Sequence, residues 1–346
     1  MKENTRILII APSWLGDIIM SQSLLKVLKQ QDSNCIIDVY APEWTTPILK
    51  RIPEIDNIIV NPFAHGSFLL KERYREGKKL QNNHYNKAFI LPNSWKSALI
   101  PFFANIKERI GFKGEMRYFL LNKLRNDKNN FPRMVERYVA LAYDQNKVKN
   151  AQDLGEFAYP SLITKELSSD FITKNNLDFS RPCLCLGCGA NYGPTKLWPP
   201  EYFAKVCDYW INHGGNVIAL GSKKDSVTVA KIKSHLNISD KYFTDLSGKT
   251  NLIEALDVVG MCKAGVCNDS GLMHTLAAAD TPQVCIFGST STKYTPPLSK
   301  KAICVESTVS CHPCFKKTCA KGTYECLYSI KPETVLEKLN LLLEKK

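Results

Sequence analysis

The sequence lacks any long uninterrupted apolar run. No stretch of its 346 residues approaches the roughly 18 apolar residues that a membrane-spanning helix requires. Its first residues are polar and the apolar run after them is short, unlike a secretory signal peptide. It also lacks low-complexity tracts and short repeats, which excludes collagen-like and wholly disordered proteins. These absences favour a folded cytoplasmic protein.

The composition is otherwise that of a large globular protein. Hydrophobic residues make up 44% and charged residues 23% of the chain, and the length suits two domains. Thirteen cysteines are present, but in a cytoplasmic protein most of these are reduced thiols rather than a disulfide framework. Nine of them lie in or beside apolar stretches and are expected in the core.

Short apolar strands alternate with helical stretches in two series, the first starting at Arg6 and the second at Pro182. A basic, loop-rich stretch is expected over 106–133. Two such series predict an α/β protein with two Rossmann-like, doubly wound domains facing a central cleft. The predicted boundaries are an N-terminal domain 1–165, a linker 166–181, a C-terminal domain 182–330, and a C-terminal helix 331–346 that could pack back on the N-terminal domain.

A glycine-rich loop with one lysine follows the first strand of the second series. It reads GCGANYGPTKLWPP over residues 187–200. Glycines let backbone N–H groups approach an anion, Lys196 adds a positive charge, and the following helix start favours negative charge. The pattern matches neither a Walker A loop nor the GxGxxG fingerprint. It indicates either a diphosphate cradle or a plain turn with a solvated lysine.

A second polar motif, NDSGLMH over residues 268–274, lies at the end of another strand candidate and opens a helix. Ser270 and Gly271 can offer backbone N–H groups to phosphate oxygens, with His274 one turn further on. Asp269 would repel phosphate, which suggests a structural or hydroxyl-binding role. The alternative is that Asp269 or Ser270 only caps the helix and that His274 packs in the core.

The first strand-to-helix junction reads SWLGD over residues 13–17. Asp17 would face the predicted cleft. A helix N-terminus keeps a carboxylate ionised, which suits a general base that takes a proton from an attacking hydroxyl. A plain helix-capping role is the alternative.

Together, the motifs at 14–17, 189–199 and 268–274 resemble those of the ADP-heptose:lipopolysaccharide heptosyltransferases, glycosyltransferase family 9, and most of all its heptosyltransferase II members. The resemblance covers nearly the whole chain, in the same order and spacing. It implies a GT-B fold and an inverting transfer of L-glycero-D-manno-heptose from ADP-heptose to heptosyl-Kdo2-lipid A of the lipopolysaccharide inner core. Cys188 precedes Gly189 where the family has a proline, which affects loop stiffness.

The resemblance also implies residue roles. Asp17 would be the general base, and Lys196 would stabilise the leaving diphosphate. The acceptor-side loop would contain Ser13, Trp14 and Gly16. The donor-binding set would be Gly193, Thr195, Lys196, Asp269, Ser270, Gly271 and His274. Because the sequence contains no Asp-x-Asp triplet of the kind that holds Mg²⁺, we expect transfer without a metal or other catalytic cofactor.

Positive charge is concentrated in one part of the chain. Residues 71–137 contain 16 lysines and arginines against 6 acids, a net charge of +10 within a total of +13. No nucleic-acid-binding motif accompanies this charge, so we expect no nucleic-acid partner. A solvated basic face is the plain alternative. The resemblance instead implies an anionic acceptor, and predicts a protein held peripherally at the inner face of the inner membrane.

Four cysteines lie close together near the C-terminus. Thiolates favour tetrahedral Zn²⁺, so this spacing would allow a structural zinc site. The second pair is not C-x2-C, and reduced thiols or one local disulfide explain the cluster equally well. The four residues are Cys311, Cys314, Cys319 and Cys326.

Two other functions stay open. Another family 9 enzyme with a different donor or acceptor, of the heptosyltransferase I or III type, would share the fold. A basic, zinc-containing nucleic-acid-binding protein would account for the charge and the cysteines. It would leave Asp17, the Lys196 loop and the 268–274 motif without a role.

Overall fold

The chain folds into two units, Met1–Pro160 and Ser161–Lys346. The computed structural model describes residues 4–64 and 66–344; the last two residues of the predicted terminal helix lie outside that part of the chain. Each unit contains one parallel sheet of six described strands with helices around it. The predicted class, two doubly wound α/β domains, is confirmed.

The sheet of the first unit has the strand order β3-β2-β1-β4-β5-β6 and is parallel throughout. Its central strand β1 is apolar because helices cover both faces of the sheet. The strands are β1 (Arg6–Ile10), β2 (Ile36–Pro42), β3 (Asn57–Asn61), β4 (Lys87–Ile90), β5 (Glu108–Phe112) and β6 (Lys123–Arg125). The helices are α1 (Leu15–Gln31), α2 (Thr46–Leu49), α3 (Leu70–Leu80), α4 (Leu99–Phe103) and α5 (Met134–Ala140).

The second sheet has the same doubly wound pattern, with the strand order β12-β11-β10-β7-β8-β9. Its strands are β7 (Cys183–Gly187), β8 (Asn216–Ala219), β9 (Phe243–Asp245), β10 (Ala264–Asn268), β11 (Gln283–Phe287) and β12 (Ala302–Glu306). The helices of this unit are α6 (Ser169–Lys174), α7 (Pro200–Asn212), α8 (Ser226–Ser234), α9 (Leu252–Met261), α10 (Gly271–Ala278), α11 (Glu325–Tyr328) and α12 (Pro332–Glu344). In both sheets, the strand order reverses beside the first strand of the unit, where ligands bind in such folds.

The predicted loop-rich stretch 106–133 was wrong in part, because it contains β5 and β6. Three arginines of the basic region are buried rather than exposed: Arg73, Arg117 and Arg125. The Arg117 guanidinium donates to the carbonyl oxygens of Pro92 (2.6 Å) and Phe112 (2.8 Å). Burial lowers the pKa of Arg117 to about 10. These arginines are structural, so the surface of this region is less basic than the sequence suggested.

The unit boundary and the last helix also differ from expectation. The boundary follows Pro160 rather than residue 165, and the predicted linker 166–181 belongs to the second unit. Leu177, for example, lies in a core cluster of that unit. The apolar face of α12 is buried in the second unit's core through Val335, Leu339 and Leu342. The C-terminal helix is therefore part of the second unit.

None of the described helices combines the length and the apolar character that spanning a bilayer requires.

Candidate functional site

Three loops meet at the carboxyl edge of the second sheet. They follow β7, β10 and β11, which are neighbouring strands. Asn268, the last residue of β10, ties the first two loops together. Its side-chain amide donates to the carbonyl oxygen of Cys188 (2.7 Å), and its side-chain oxygen accepts from the backbone N–H of Trp198 (3.2 Å). The sheet thus brings the Lys196 loop and the 268–274 motif into contact, as the sequence predicted.

Lys196 and Asp269 form an ion pair in which Nζ lies 2.5 Å from Oδ2. The Lys196 side chain is 13% exposed and that of Asp269 only 4%. The same carboxylate oxygen accepts a hydrogen bond from the Thr290 hydroxyl (2.5 Å). The carboxylate therefore fixes the lysine ammonium at the sheet edge, consistent with the structural role expected of Asp269.

His274 is buried one turn into α10. Its pKa is lowered to about 4, mainly by burial; the nearby Asp269 carboxylate raises the pKa and the Lys196 ammonium lowers it. The imidazole is therefore neutral near pH 7. It can offer one N–H to a phosphate oxygen, but it supplies no positive charge to the site.

The N-terminus of α10 lies directly after Asp269. Ser270 precedes the helix in an extended conformation, and its side chain makes no capping hydrogen bond. The backbone N–H groups of a first helical turn have no partner within the helix, and the helix dipole favours an anion there. Since Ser270 and Gly271 are partly exposed, this turn can bind phosphate oxygens.

Gly193 and Thr195 contact a part of the chain that is distant in sequence, residues 311–326, which we call the cysteine segment. The buried Thr195 hydroxyl donates to the carbonyl oxygen of Lys316 (2.6 Å). The Tyr192 hydroxyl donates to that of Phe315 (2.5 Å). The Thr195 side chain thus holds the loop in position, and the loop would bind phosphate through its backbone and Lys196.

The four thiols of the cysteine segment are all free. Burial raises the pKa of Cys326, and Cys314, Cys311 and Cys319 raise it further because they lie near it. In the described part of the chain, no group of three or more His, Cys, Asp or Glu side chains is arranged to hold a metal ion. The structure therefore gives no support to the zinc site or the local disulfide that the spacing would allow.

Asp17 lies at the corresponding edge of the first sheet, in the first turn of α1. The loop before it follows β1 directly. Ser13 and Trp14 are exposed, Gly16 is buried and Asp17 is half-buried. Ser13, Trp14 and Asp17 are therefore accessible at this edge of the first unit, whereas Gly16 is not.

Sequence reasoning missed three contributors to the second unit's site: Thr290, Tyr192 and the backbone of 315–317. Thr290 had a detectable signal, because the loop after β11 reads GSTST over 288–292 and follows a buried strand at the ligand-binding edge. Tyr192 lay within the motif but was not singled out. The backbone of 315–317 has no sequence signal, since any residue types can supply carbonyl oxygens.

Comparison with known proteins identifies the family of this chain. The family model of glycosyltransferase family 9 (heptosyltransferase) matches residues 73–325. The lipooligosaccharide heptosyltransferase 2 of Haemophilus ducreyi is 44% identical, covering 98% of this chain and 99% of its own. The lipopolysaccharide heptosyltransferase 2 of Salmonella typhimurium is also 44% identical, with 98% of both chains covered.

A solved structure, the ADP-heptose lps heptosyltransferase II of E. coli, matches with a TM-score of 0.88 and 40% identity, covering 99% of both chains. The resemblance deduced from the motifs is thereby confirmed. On the match of the family model and these full-length relatives, the chain belongs to glycosyltransferase family 9, the heptosyltransferases.

Proposed function

We propose that this protein transfers L-glycero-D-manno-heptose, with inversion, from ADP-heptose to heptosyl-Kdo2-lipid A in lipopolysaccharide inner-core synthesis. The observation that carries the proposal is the Lys196–Asp269 pair beside the N-terminus of α10. A fixed ammonium and a helix start at one sheet edge are suited to a diphosphate. The full-length relatives, named as heptosyltransferase 2 enzymes, support the choice of sugar.

The second unit would bind the donor. Lys196 and the backbone N–H groups of Ser270 and Gly271 would hold the diphosphate. As the bond between the heptose C1 and the diphosphate oxygen breaks, that oxygen takes the electron pair, and these groups stabilise its growing negative charge. His274 would donate one hydrogen bond from its neutral imidazole. This proposal gives no role to a metal ion.

The first unit would bind the acceptor. The carboxylate of Asp17 would accept the proton of the attacking acceptor hydroxyl as its oxygen bonds to C1. Trp14 offers an exposed indole, 58% accessible, against which a sugar ring can pack. Because Asp17 and Lys196 belong to different units, transfer requires both units to engage one donor–acceptor pair, which makes domain closure part of the proposal.

We further propose that the first unit contacts the membrane that carries the acceptor. The surface of the first unit exposes apolar and aromatic side chains at residues 68–74, 102 and 116–119. The Phe68 ring stacks on Trp95 (5.9 Å between centroids), and the backbone N–H of Trp95 donates to Glu115 (2.8 Å), so the first and last groups adjoin. The exposed side chains are Phe68, Leu69, Leu70, Tyr74, Phe102, Met116, Tyr118 and Phe119.

Basic side chains lie over these rings. Lys78 is 5.6 Å from the centre of the Tyr74 ring, Arg109 5.5 Å from that of Phe102, and Lys113 5.4 Å from that of Tyr118. An apolar surface rimmed by cations is complementary to an anionic lipid leaflet. This arrangement supports peripheral association at the inner face of the inner membrane, with the protein otherwise in the cytoplasm.

The experiment is to incubate the purified protein with ADP-heptose and lipid A cores of graded length, and to read the product masses. The proposal expects one added heptose on heptosyl-Kdo2-lipid A and none on Kdo2-lipid A. Addition only to Kdo2-lipid A, or only to longer cores, would identify a different family 9 enzyme. The same reaction in EDTA should proceed at an unchanged rate; loss of activity that Mg²⁺ restores would contradict metal-independent transfer.

A further inference from the structure

The cysteine segment contacts the Lys196 loop along three consecutive residues. As described above, the carbonyl oxygens of Phe315 and Lys316 accept from Tyr192 and Thr195. The third residue, Lys317, lies against Gly193. A Cβ atom at Gly193 would be 2.5 Å from the Lys317 carbonyl oxygen, so only glycine permits this approach.

The segment is also attached to the loop after β11. The backbone N–H of Phe315 donates to the carbonyl oxygen of Ser289 (2.8 Å). The His312 Nδ1 lies 2.7 Å from the carbonyl oxygen of Gly288. Backbone atoms and neighbouring side chains thus fix the position of Lys317, and its own side chain is not needed for this attachment.

The Lys317 side chain extends to the same aromatic ring as Lys196. Its ammonium lies 5.8 Å from the centre of the Tyr192 ring, and that of Lys196 lies 4.9 Å from it. Both distances are within the range of cation–π attraction. Two ammonium groups from distant parts of the sequence therefore converge on one tyrosine at the diphosphate edge of the sheet.

The charge balance of the site calls for a second cation. The Lys196 charge is offset by Asp269 at 2.5 Å, and the buried His274 supplies no charge. A nucleoside diphosphate brings at least two negative charges. The ion pair and the partial charge of a helix N-terminus, about half an elementary charge, do not neutralise them. Lys317 is exposed, so its ammonium can turn towards a bound phosphate.

We propose that Lys317 is a second phosphate-binding cation, which the cysteine segment delivers to the donor site for a nucleoside diphosphate. The inference rests on the proposed binding of the donor by the second unit. It assigns the cysteine segment a function in this reaction: to place a second lysine beside Lys196, which the loop after β7 supplies.

The test is the affinity for ADP and for adenosine, measured by titration calorimetry on the full-length protein. Lys317→Gln should raise the Kd for ADP about tenfold, the loss of one charge-assisted hydrogen bond. It should leave the Kd for adenosine unchanged. Lys321→Gln is the matched control, because Lys321 is also an exposed lysine of the cysteine segment and has no assigned role in the site; it should bind ADP like the unaltered protein. Lys317→Arg, which keeps the charge, should retain most of the ADP affinity.

Other outcomes distinguish a failure of the proposed function from a failure of the role assigned to Lys317. If the unaltered protein does not bind ADP, the proposed function itself fails. If it binds ADP and Lys317→Gln binds ADP equally well, only the role of Lys317 is overturned. The role is also overturned if Lys317→Gln weakens adenosine as much as ADP, or if Lys317→Arg is as defective as Lys317→Gln, since either result shows a disturbed loop rather than a lost charge.

Discussion

The ammonium of Lys196 and the carboxylate of Asp269 form an ion pair at the edge of the second sheet. The two residues belong to separate motifs, and the strands β8, β9 and β10 lie between them in the sequence. The pair is largely withdrawn from water, and the same oxygen of Asp269 also accepts a hydrogen bond from the Thr290 hydroxyl. A buried pair of this kind contributes little net stability, but leaving either partner alone is costly. The arrangement therefore positions the lysine for an incoming anion and ties that position to the stability of the unit.

The first prediction is a double-mutant cycle on this pair. Lys196→Met and Asp269→Asn should each lower the free energy of unfolding by roughly 3 kcal/mol, because each leaves a buried group without its partner. The double variant should lose much less than the sum. Urea denaturation of the four proteins measures the coupling.

The exposed pair Lys301–Asp280 is the matched control, since its Nζ–Oδ2 distance is also 2.5 Å but its side chains are 51% and 73% exposed. The same two types of substitution there should show a coupling below about 1 kcal/mol. Equal coupling in both cycles would show that burial does not strengthen the Lys196–Asp269 interaction.

The second prediction concerns pH. The pKa of His274 is lowered to about 4 in the folded protein, mainly by burial, against an unfolded value near 6.5. Between these two values the unfolded chain binds the extra proton, so the free energy of unfolding falls as the pH is lowered from about 6.5 towards 4, by roughly 1.4 kcal/mol per pH unit. Above pH 7 this contribution to stability is fully present.

His274→Gln should reduce the slope of stability against pH in that window, as measured by urea denaturation at half-unit steps. The same substitution at the exposed His235 is the control and should keep the slope of the unaltered protein. An unchanged slope in His274→Gln would place the acid-sensitive group elsewhere.

The sequence predicts long, regular elements well and short edge strands poorly. The two series were predicted to start at Arg6 and Pro182, and β1 begins at Arg6 and β7 at Cys183, because an uninterrupted apolar run marks each strand. In contrast, β6 and β9 have three residues each, too few to show a period. The C-terminal helix was predicted, but its sequence shows only that it can bury an apolar face and not which unit covers that face.

The candidate site was also predictable only in part. The loops were predictable because parallel strands place their carboxyl ends together. The partners within the site were not, since Lys196, Asp269 and Thr290 lie far apart in sequence and nothing in their spacing encodes a 2.5 Å contact. Contacts made by the backbone of 315–317 are invisible to any reading of side-chain types.

The third prediction tests the base. Asp17→Asn should leave the Kd for ADP within about twofold, because the donor groups lie in the other unit, and should lower the transfer rate by about 100-fold or more. Asp32→Asn is the matched control, since Asp32 immediately follows the other end of α1; its transfer rate should be normal. A weakened ADP affinity with normal turnover in Asp17→Asn would exclude the assigned role.

The fourth prediction concerns the membrane surface of the first unit. The protein should bind vesicles that contain phosphatidylglycerol, bind phosphatidylcholine vesicles much more weakly, and release from the former as salt is raised, because exposed cations are screened. Met116 and Phe119, 78% and 65% exposed, should insert between headgroups. Replacing both by serine should weaken vesicle binding tenfold or more, at about 1.5–3 kcal/mol for each apolar side chain that is buried.

Val227 provides the control for that pair of variants, because it is also an exposed apolar side chain (63%) but lies on α8 of the second unit. Val227→Ser should sediment with anionic vesicles like the unaltered protein. If the first unit makes the contact, the Met116 and Phe119 replacements should weaken vesicle binding and Val227→Ser should not. Two results would show that the membrane surface of the first unit does not make the contact. One is vesicle binding that is insensitive to salt. The other is that Val227→Ser weakens vesicle binding as much as the Met116 and Phe119 replacements do.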